Sequence, residues 1–309
     1  MDLSTFVERI EKEGLRVRGI EVYQHGRKIA SRRWAPNYRY PLHSLSKSFT
    51  SLAIGMLVDE GKLDVREKIF DLFPSLTPEK PMPYLDELCV EHLLAMTTGH
   101  DHDVRYDPED GYDEDDGVRF FLHDPIAKKP GTYFCYNQMA TYTLSAIVTK
   151  LTGQTLCEYL TPRLFDPLGI ENPPWQICSK GRNLGYTGLM LNTSEIAKLG
   201  ILHLNRGVYE GKRLVSAEWI DKSGQALADT TPHKDGPDNE YGYGYQFWRC
   251  VPRAKAYRAD GMWGQFVIIS HELDSVIAVS SWEKNNAQGI LTAIWDTITP
   301  QLEKDAVSK

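Results

Sequence analysis

Ser44-Leu45-Ser46-Lys47 sets a hydroxyl three residues ahead of an amine. A serine hydroxyl near neutral pH is a poor nucleophile and needs a base within hydrogen-bond reach. A lysine is that base only when burial or nearby positive potential lowers its pKa. Backbone conformation decides whether the two groups meet. On a helix, residues i and i+3 share a face; on a strand they point to opposite faces. The chain carries the pattern twice, the second time as Ser281-Trp282-Glu283-Lys284. Ser281 closes a strand-like run, whereas Ser44 opens a helical one. Only the first pair is expected to bring amine to hydroxyl. A helix start also supplies positive potential and unpaired backbone N–H groups. The N–H of Ser44 itself is expected to stabilise an oxyanion.

The element that must hold this pair is the clearest helix in the chain, over 44–60. Leu45, Phe49, Leu52, Ala53, Met56 and Leu57 recur on one apolar stripe. Residues 2–16 read as a helix, and 17–34 as a hairpin turning at His25-Gly26. Short helical pieces and loops are expected over 63–135. A helix over 136–162 is entered through Lys129-Pro130-Gly131-Thr132. Helices follow at 193–205, capped by Thr193 or Ser194, and at 215–223. Strands are predicted over 241–248, 265–269 and 275–280, then a last helix over 286–303. Strands thus lie at both ends of the chain and helices between them. That arrangement predicts an α/β domain from 1–70 and 235–309, an inserted, mostly helical domain over 71–234, and an active site at their interface.

From Ser44 onward the chain resembles the penicillin-recognising serine hydrolases, which include class C β-lactamases, D,D-peptidases, D-aminopeptidases, related carboxylesterases and short-oligoamide hydrolases. Residues 43–50 (HSLSKSFT) resemble the nucleophile region, and 93–99 (LLAMTTG) a downstream Leu-Leu-x-His-Thr-Ser-Gly stretch. Residues 130–137 (PGTYFCYN), followed by a helix ending in 150–153 (KLTG), resemble the segment that carries the catalytic tyrosine. Residues 188–198 and 241–244 (YGYG) also fit, so the similarity spans most of 18–285. The resemblance implies the β-lactamase-like (D,D-peptidase) fold, an antiparallel sheet flanked by terminal helices. It implies catalysis by Ser44, Lys47 and Tyr136, a phenolate beside a lysine ammonium exchanging protons with serine and leaving group. The second oxyanion donor would be the backbone N–H of Met262. No cofactor or metal is implied.

Two motifs depart from the family pattern. Gln138 stands where Asn is usual, one methylene longer, and is expected to hydrogen-bond a substrate carbonyl or Lys47; Asn137 reads as structural. Ala259-Asp260-Gly261 stands where Lys-Thr-Gly is usual. Gly261 is kept, which lets backbone approach a substrate. The lysine that helps hold a substrate carboxylate is missing, and Asp260 would repel one, with Arg258 as a compensating cation. Trp263 is expected to line the pocket. The substrate expected is therefore a small ester or amide with a cationic or neutral end. Weak β-lactamase or D-aminopeptidase activity ranks second, and a binder that is acylated without turning over is the alternative of another class.

The 309 residues are 41% hydrophobic and 25% charged, with net charge -7. That balance fits a globular protein and argues against nucleic acid or an anionic membrane as partner. No apolar run reaches the roughly 18 residues of a membrane span, and the N-terminus lacks the look of a signal peptide. Five scattered cysteines read as free thiols of a cytoplasmic protein. The acidic stretch 101–116 reads as a solvated loop overhanging the cleft, without the spacing of a calcium loop. His43 reads as packing. Oligomeric state is not legible.

Overall fold

Apolar side chains build a six-stranded antiparallel sheet whose inner strands are covered on both faces, while its edge strand over 27–33 is largely exposed. The structure, a computed structural model, describes residues 1–80, 82–105, 117–233 and 236–307. The strands are β1 (Val17–Gln24), β2 (Arg27–Arg33), β3 (Trp248–Arg249), β4 (Tyr257–Gly261), β5 (Gln265–Ser270) and β6 (Ser275–Ser281). Their spatial order is β2-β1-β6-β5-β4-β3, so the N-terminal hairpin docks against the C-terminal strands. Phe266, Ile268, Ile277 and Val279 face one core with helices α1 (Ser4–Lys12) and α6 (Ala287–Thr297). Val267, Ile269, Val276 and Ala278 face the other, larger core. Such two-sided burial gives strands with near-continuous apolar runs.

The larger core holds α2 (Ser46–Asp59), α3 (Gln138–Thr152) and α4 (Thr193–Leu204). Every residue of α2 from Ser46 to Leu57 is buried, including its serines and Lys47. The expected one-sided stripe is thus a helix wrapped on all sides, which is what places polar groups in its interior-facing first turn. Helix α4 lies close on the sheet because of Gly200, where a Cβ would come within 2.4 Å of Val276.

Several expected boundaries shift for local reasons. Over 241–248 only the last residue pairs in the sheet, because Gly242 (φ 108°) and Gln246 (φ 67°) leave the extended region. The segment Tyr257–Gly261, read only as a motif, is a strand. Helix α3 stops at Gly153 (φ 72°), and a short helix restarts at Leu156 behind the cap Thr155. The cap of α4 is Asn192, which accepts the Glu195 N–H at 2.9 Å; Thr193 and Ser194 bond instead to Ser280 and Glu21. The last helix breaks at Ile298 before α7 (Thr299–Val307). Between α4 and β3, α5 (Ala217–Ser223) packs its Trp219 against Gly55 of α2. All five cysteines are free thiols. Among the described residues no helix is long and apolar enough to cross a membrane.

Candidate active site

Ser44 lies in a 3-10 turn, His43–Leu45, that runs directly into α2. Lys47 follows on the first turn of α2 and is 1% exposed. Its Nζ lies 3.0 Å from Ser44 Oγ, 2.6 Å from Gln138 Oε1 and 3.1 Å from the Tyr186 carbonyl oxygen. Burial lowers the Lys47 pKa to about 7, against the opposing charge of Asp103. Near neutrality a large share of this amine is therefore uncharged. A neutral amine keeps two N–H bonds and one lone pair. Gln138 and the Tyr186 carbonyl are acceptors only at these atoms, so they take the two N–H bonds. The lone pair is then left for the Ser44 hydroxyl.

Tyr136 stands two residues before α3 and lines the same cleft as Ser44. Its ring stacks on Trp248 at 5.7 Å, and Lys47 Nζ lies 4.8 Å from the ring centroid. Burial pushes the Tyr136 pKa above that of an ordinary tyrosine; Ser44 nearby opposes the rise, and the charges of Asp260 and Asp103 add to it. Above about pH 7 the pair is thus chiefly a neutral amine beside a neutral phenol. The phenolate–ammonium pair expected from the sequence is disfavoured because burial penalises both charges.

The altered second motif keeps its contact to the lysine, since Gln138 reaches Lys47. Asn137 is the cap of α3 and accepts the Ala140 N–H at 3.1 Å. Asp103 Oδ1 accepts the Gln138 N–H at 2.8 Å, so Asp103 both fixes the first turn of α3 and acts on Lys47 through its charge. Of the acidic stretch, Asp101, His102, Asp103 and Arg105 line a pocket of about 350 Å³ that Tyr136 and Gln138 also line. The rest of the overhang expected for it, 106–116, lies outside the described residues.

The third motif lies on β4 beside the nucleophile turn. A Cβ on Gly261 would come within 2.1 Å of the Leu42 carbonyl oxygen, so only glycine permits this approach. Met262 follows at the cleft and is 58% exposed. Trp263 (φ 65°) and His43 (φ 51°) both hold left-handed backbone, and their rings meet edge to face at 4.6 Å. These two strained residues adjoin Met262 and Ser44, the proposed sources of the oxyanion donors. Ser44, Tyr136, Gln138, Asp260, Gly261 and Trp263 all line one cleft of about 560 Å³. Arg258 does not reach it. The guanidinium is fully buried, donating to Asp260 Oδ2 at 2.8 Å, Asn239 Oδ1 at 2.6 Å and the Asp238 carbonyl at 3.1 Å. Its compensation acts on Asp260 and not on a ligand.

Asp103, the Tyr186 carbonyl and Trp248 were not legible as site residues. Backbone carbonyls carry no side-chain signal, and the other two act across 35 and 112 residues of chain from their partners Gln138 and Tyr136. Among the described residues, Cys89, Glu91 and His92 bring metal-ligand types together. There, however, His92 Nδ1 accepts the Cys89 N–H at 3.2 Å and closes a helix cap.

The Beta-lactamase family model matches residues 7–294. The 6-aminohexanoate-dimer hydrolase of Paenarthrobacter ureafaciens is 25% identical over 272 residues, covering 81% of this chain and 68% of that one. Among solved structures, the octameric penicillin-binding protein homologue from Pyrococcus abyssi superposes with a TM-score of 0.72 at 19% identity, over 98% of this chain and 78% of its own. EstCE1, a hydrolase with promiscuous acyltransferase activity, superposes with a TM-score of 0.74 at 15% identity, over 99% of each chain. Both share the β-lactamase-like fold with this chain across nearly all of its own length.

Proposed function

The chain belongs to the Beta-lactamase family, and we propose that it is a serine hydrolase that cleaves ester or amide bonds through an acyl-enzyme. The observation that carries this reading is the coordination of Lys47, a fully buried amine with its pKa near 7 and its third direction facing Ser44 Oγ at 3.0 Å. In this mechanism the Ser44 proton passes to Lys47 as Oγ attacks the carbonyl carbon. The backbone N–H groups of Ser44 and Met262 hold the oxyanion. Tyr136 gives its phenolic proton to the departing oxygen or nitrogen and regains one from the Lys47 ammonium. The bond to the leaving group breaks, and the acyl group remains on Ser44. Water then gives a proton to the same pair and attacks the ester, and Ser44 leaves with its proton restored.

A hydrolase is supported by one named relative, the 6-aminohexanoate-dimer hydrolase, and by one structural neighbour, a hydrolase with promiscuous acyltransferase activity. Asp260 beside Gly261 weighs against a β-lactam or another substrate with a carboxylate at this position. The test is a fluorophosphonate probe read by intact mass, followed by p-nitrophenyl butyrate hydrolysis. Stoichiometric labelling of Ser44 with continuing turnover is expected. A single burst without turnover would identify an acylated binder instead, and full activity in Ser44→Ala would refute the mechanism.

A further inference from the structure

Asp260 is the least expected group in the cleft, because nothing about nucleophilic attack at Ser44 requires a carboxylate there. Its side chain is 22% exposed. One oxygen, Oδ2, is tied to Arg258 Nε at 2.8 Å; Oδ1 has no hydrogen-bond partner among the described residues. Arg258 is fully buried behind it, with Nη1 donating to the Asp238 and Arg249 carbonyls and Nη2 to Asn239. The guanidinium therefore fixes the carboxylate's direction and cannot swing out to meet an anion. Burial raises the Asp260 pKa and Arg258 opposes that rise, while Asp238 adds to it. Asp238 is itself buried, its carboxylate held by the Trp295 indole N–H at 3.1 Å. Arg258 meets Asp238 only at its backbone carbonyl, so Asp260 is its carboxylate partner, and the free Oδ1 belongs to a group lining the cleft, which Glu283 and Lys284 also line. A carboxylate with a free oxygen in a partly desolvated cleft favours a donor that brings positive charge.

We infer that Asp260, oriented by Arg258, is a subsite for a protonated amine carried by the substrate, so that the hydrolase selects cationic esters or amides over anionic ones. This rests on the reading of Ser44 as nucleophile, since both line the same cleft. Asp260 sits one residue before Gly261, which abuts Leu42 and Leu45 on either side of Ser44. The ammonium would thus bind within reach of a carbonyl held at Ser44.

Three amides that differ only at the far end provide the test: 6-aminohexanamide, hexanamide and adipic acid monoamide. Their binding is measured by calorimetry to the Ser44→Ala protein, which needs no turnover. The expected order is ammonium, then neutral, then carboxylate, with at least a tenfold span from first to last. The span should shrink in 1 M salt, as screening weakens a charge contact. In an Asp260→Asn version of the same protein it should fall to within about threefold. Because that change strands a buried guanidinium, the Arg258→Gln/Asp260→Asn pair is measured alongside and should show the same collapse. Equal or tighter binding of the monoamide acid, no measurable binding of the ammonium probe, or a span that survives in the folded double variant would overturn the subsite. Loss of the hydrolase reading would appear separately, as absent turnover in the unaltered protein with the binding order intact.

Discussion

Two Ser-x-x-Lys segments end at the same cleft, one bringing Ser44 to it and the other Lys284. In the first, the helical turn places Lys47 Nζ 3.0 Å from Ser44 Oγ, and the core closes over the amine. In the second, Ser281 is the last residue of β6 and is fully buried; its Oγ donates to the Arg16 carbonyl at 3.1 Å and accepts the Glu283 N–H. Lys284 leaves the strand on the other side, exposed, with its Nζ 4.6 Å from the Trp263 ring centroid and 5.0 Å from that of Trp282. The four-residue pattern is identical in type, and the backbone separates nucleophile chemistry from packing at the end of an inner strand. What activates a lysine is the loss of solvent and the count of acceptors around it, neither of which the motif contains.

The widest gap should appear when each serine is replaced. Ser44→Ala is expected to lower kcat by on the order of 10⁴-fold or more, as removal of a covalent nucleophile does. Ser281→Ala should leave kcat within about twofold and cost about 1 kcal/mol of stability for its buried hydrogen bonds. Ester hydrolysis and denaturant melts on both variants measure this. A large kcat loss in Ser281→Ala would erase the distinction.

Lys47→Met comes next. Activity should fall by on the order of 10³-fold, with an unusual stability response. The folded pKa of Lys47 is depressed from 10.5 to about 7, so the unfolded chain binds the extra proton between those values. Stability of the unaltered protein should therefore rise with pH across that window and gain nothing further above it. Lys47→Met should lose that slope. At pH 7 it should be as stable or more so, by on the order of 1 kcal/mol, since relief of the buried charge exceeds the loss of donors to Gln138 and Tyr186. Denaturant melts from pH 6 to 10 would show it, and an unchanged slope would mean that Lys47 is not the group responsible.

A smaller effect should come from Asp103. For the unaltered protein, kcat/KM should fall about tenfold per pH unit below a midpoint near 7, as Lys47 gains its proton. Asp103 raises that midpoint through its charge, so Asp103→Asn should shift the acid limb to lower pH by roughly half a unit. Asparagine keeps an oxygen for the Gln138 N–H, so kcat at pH 8.5 should change little beside Asp103→Ala, which removes both charge and acceptor. A limb that stays in place would assign the titration to another group.

Helical periodicity put Ser44 and Lys47 on one face, and the order of family-like segments singled out Tyr136, Gln138 and Gly261; the structure brings these residues together. Strands β5 and β6 were legible because their apolar runs are continuous. Less legible was anything set by contacts distant in sequence. Asp103 looked like one acid among many in a solvated loop, because only its bond to Gln138 marks it out. Arg258 looked like a cation for the substrate; its full burial depends on Asn239 and Asp238, brought in by a separate segment. The run 241–248 looked like a strand because its aromatic composition is strand-like, yet Gly242 and Gln246 turn it so that Trp248 can stack on Tyr136. Composition reports burial there, and the turn geometry decides the role.

Lys284→Met gives the smallest expected effect and the sharpest check on the second motif. The ammonium rests on two indole rings at an exposed position, a contact worth about 0.5–1 kcal/mol. Removing the charge leaves Trp263 its edge-to-face contact with His43. The backbone around Met262 should therefore hold, and kcat should stay within about twofold. Methionine covers the same ring surface, so stability should drop by less than 1 kcal/mol. Because Lys284 is a cation in the same cleft as Asp260, its loss should favour a cationic amide slightly over an anionic one. A tenfold fall in kcat on a neutral ester would show that the second lysine reaches the reacting atoms, and the two segments would no longer differ in kind.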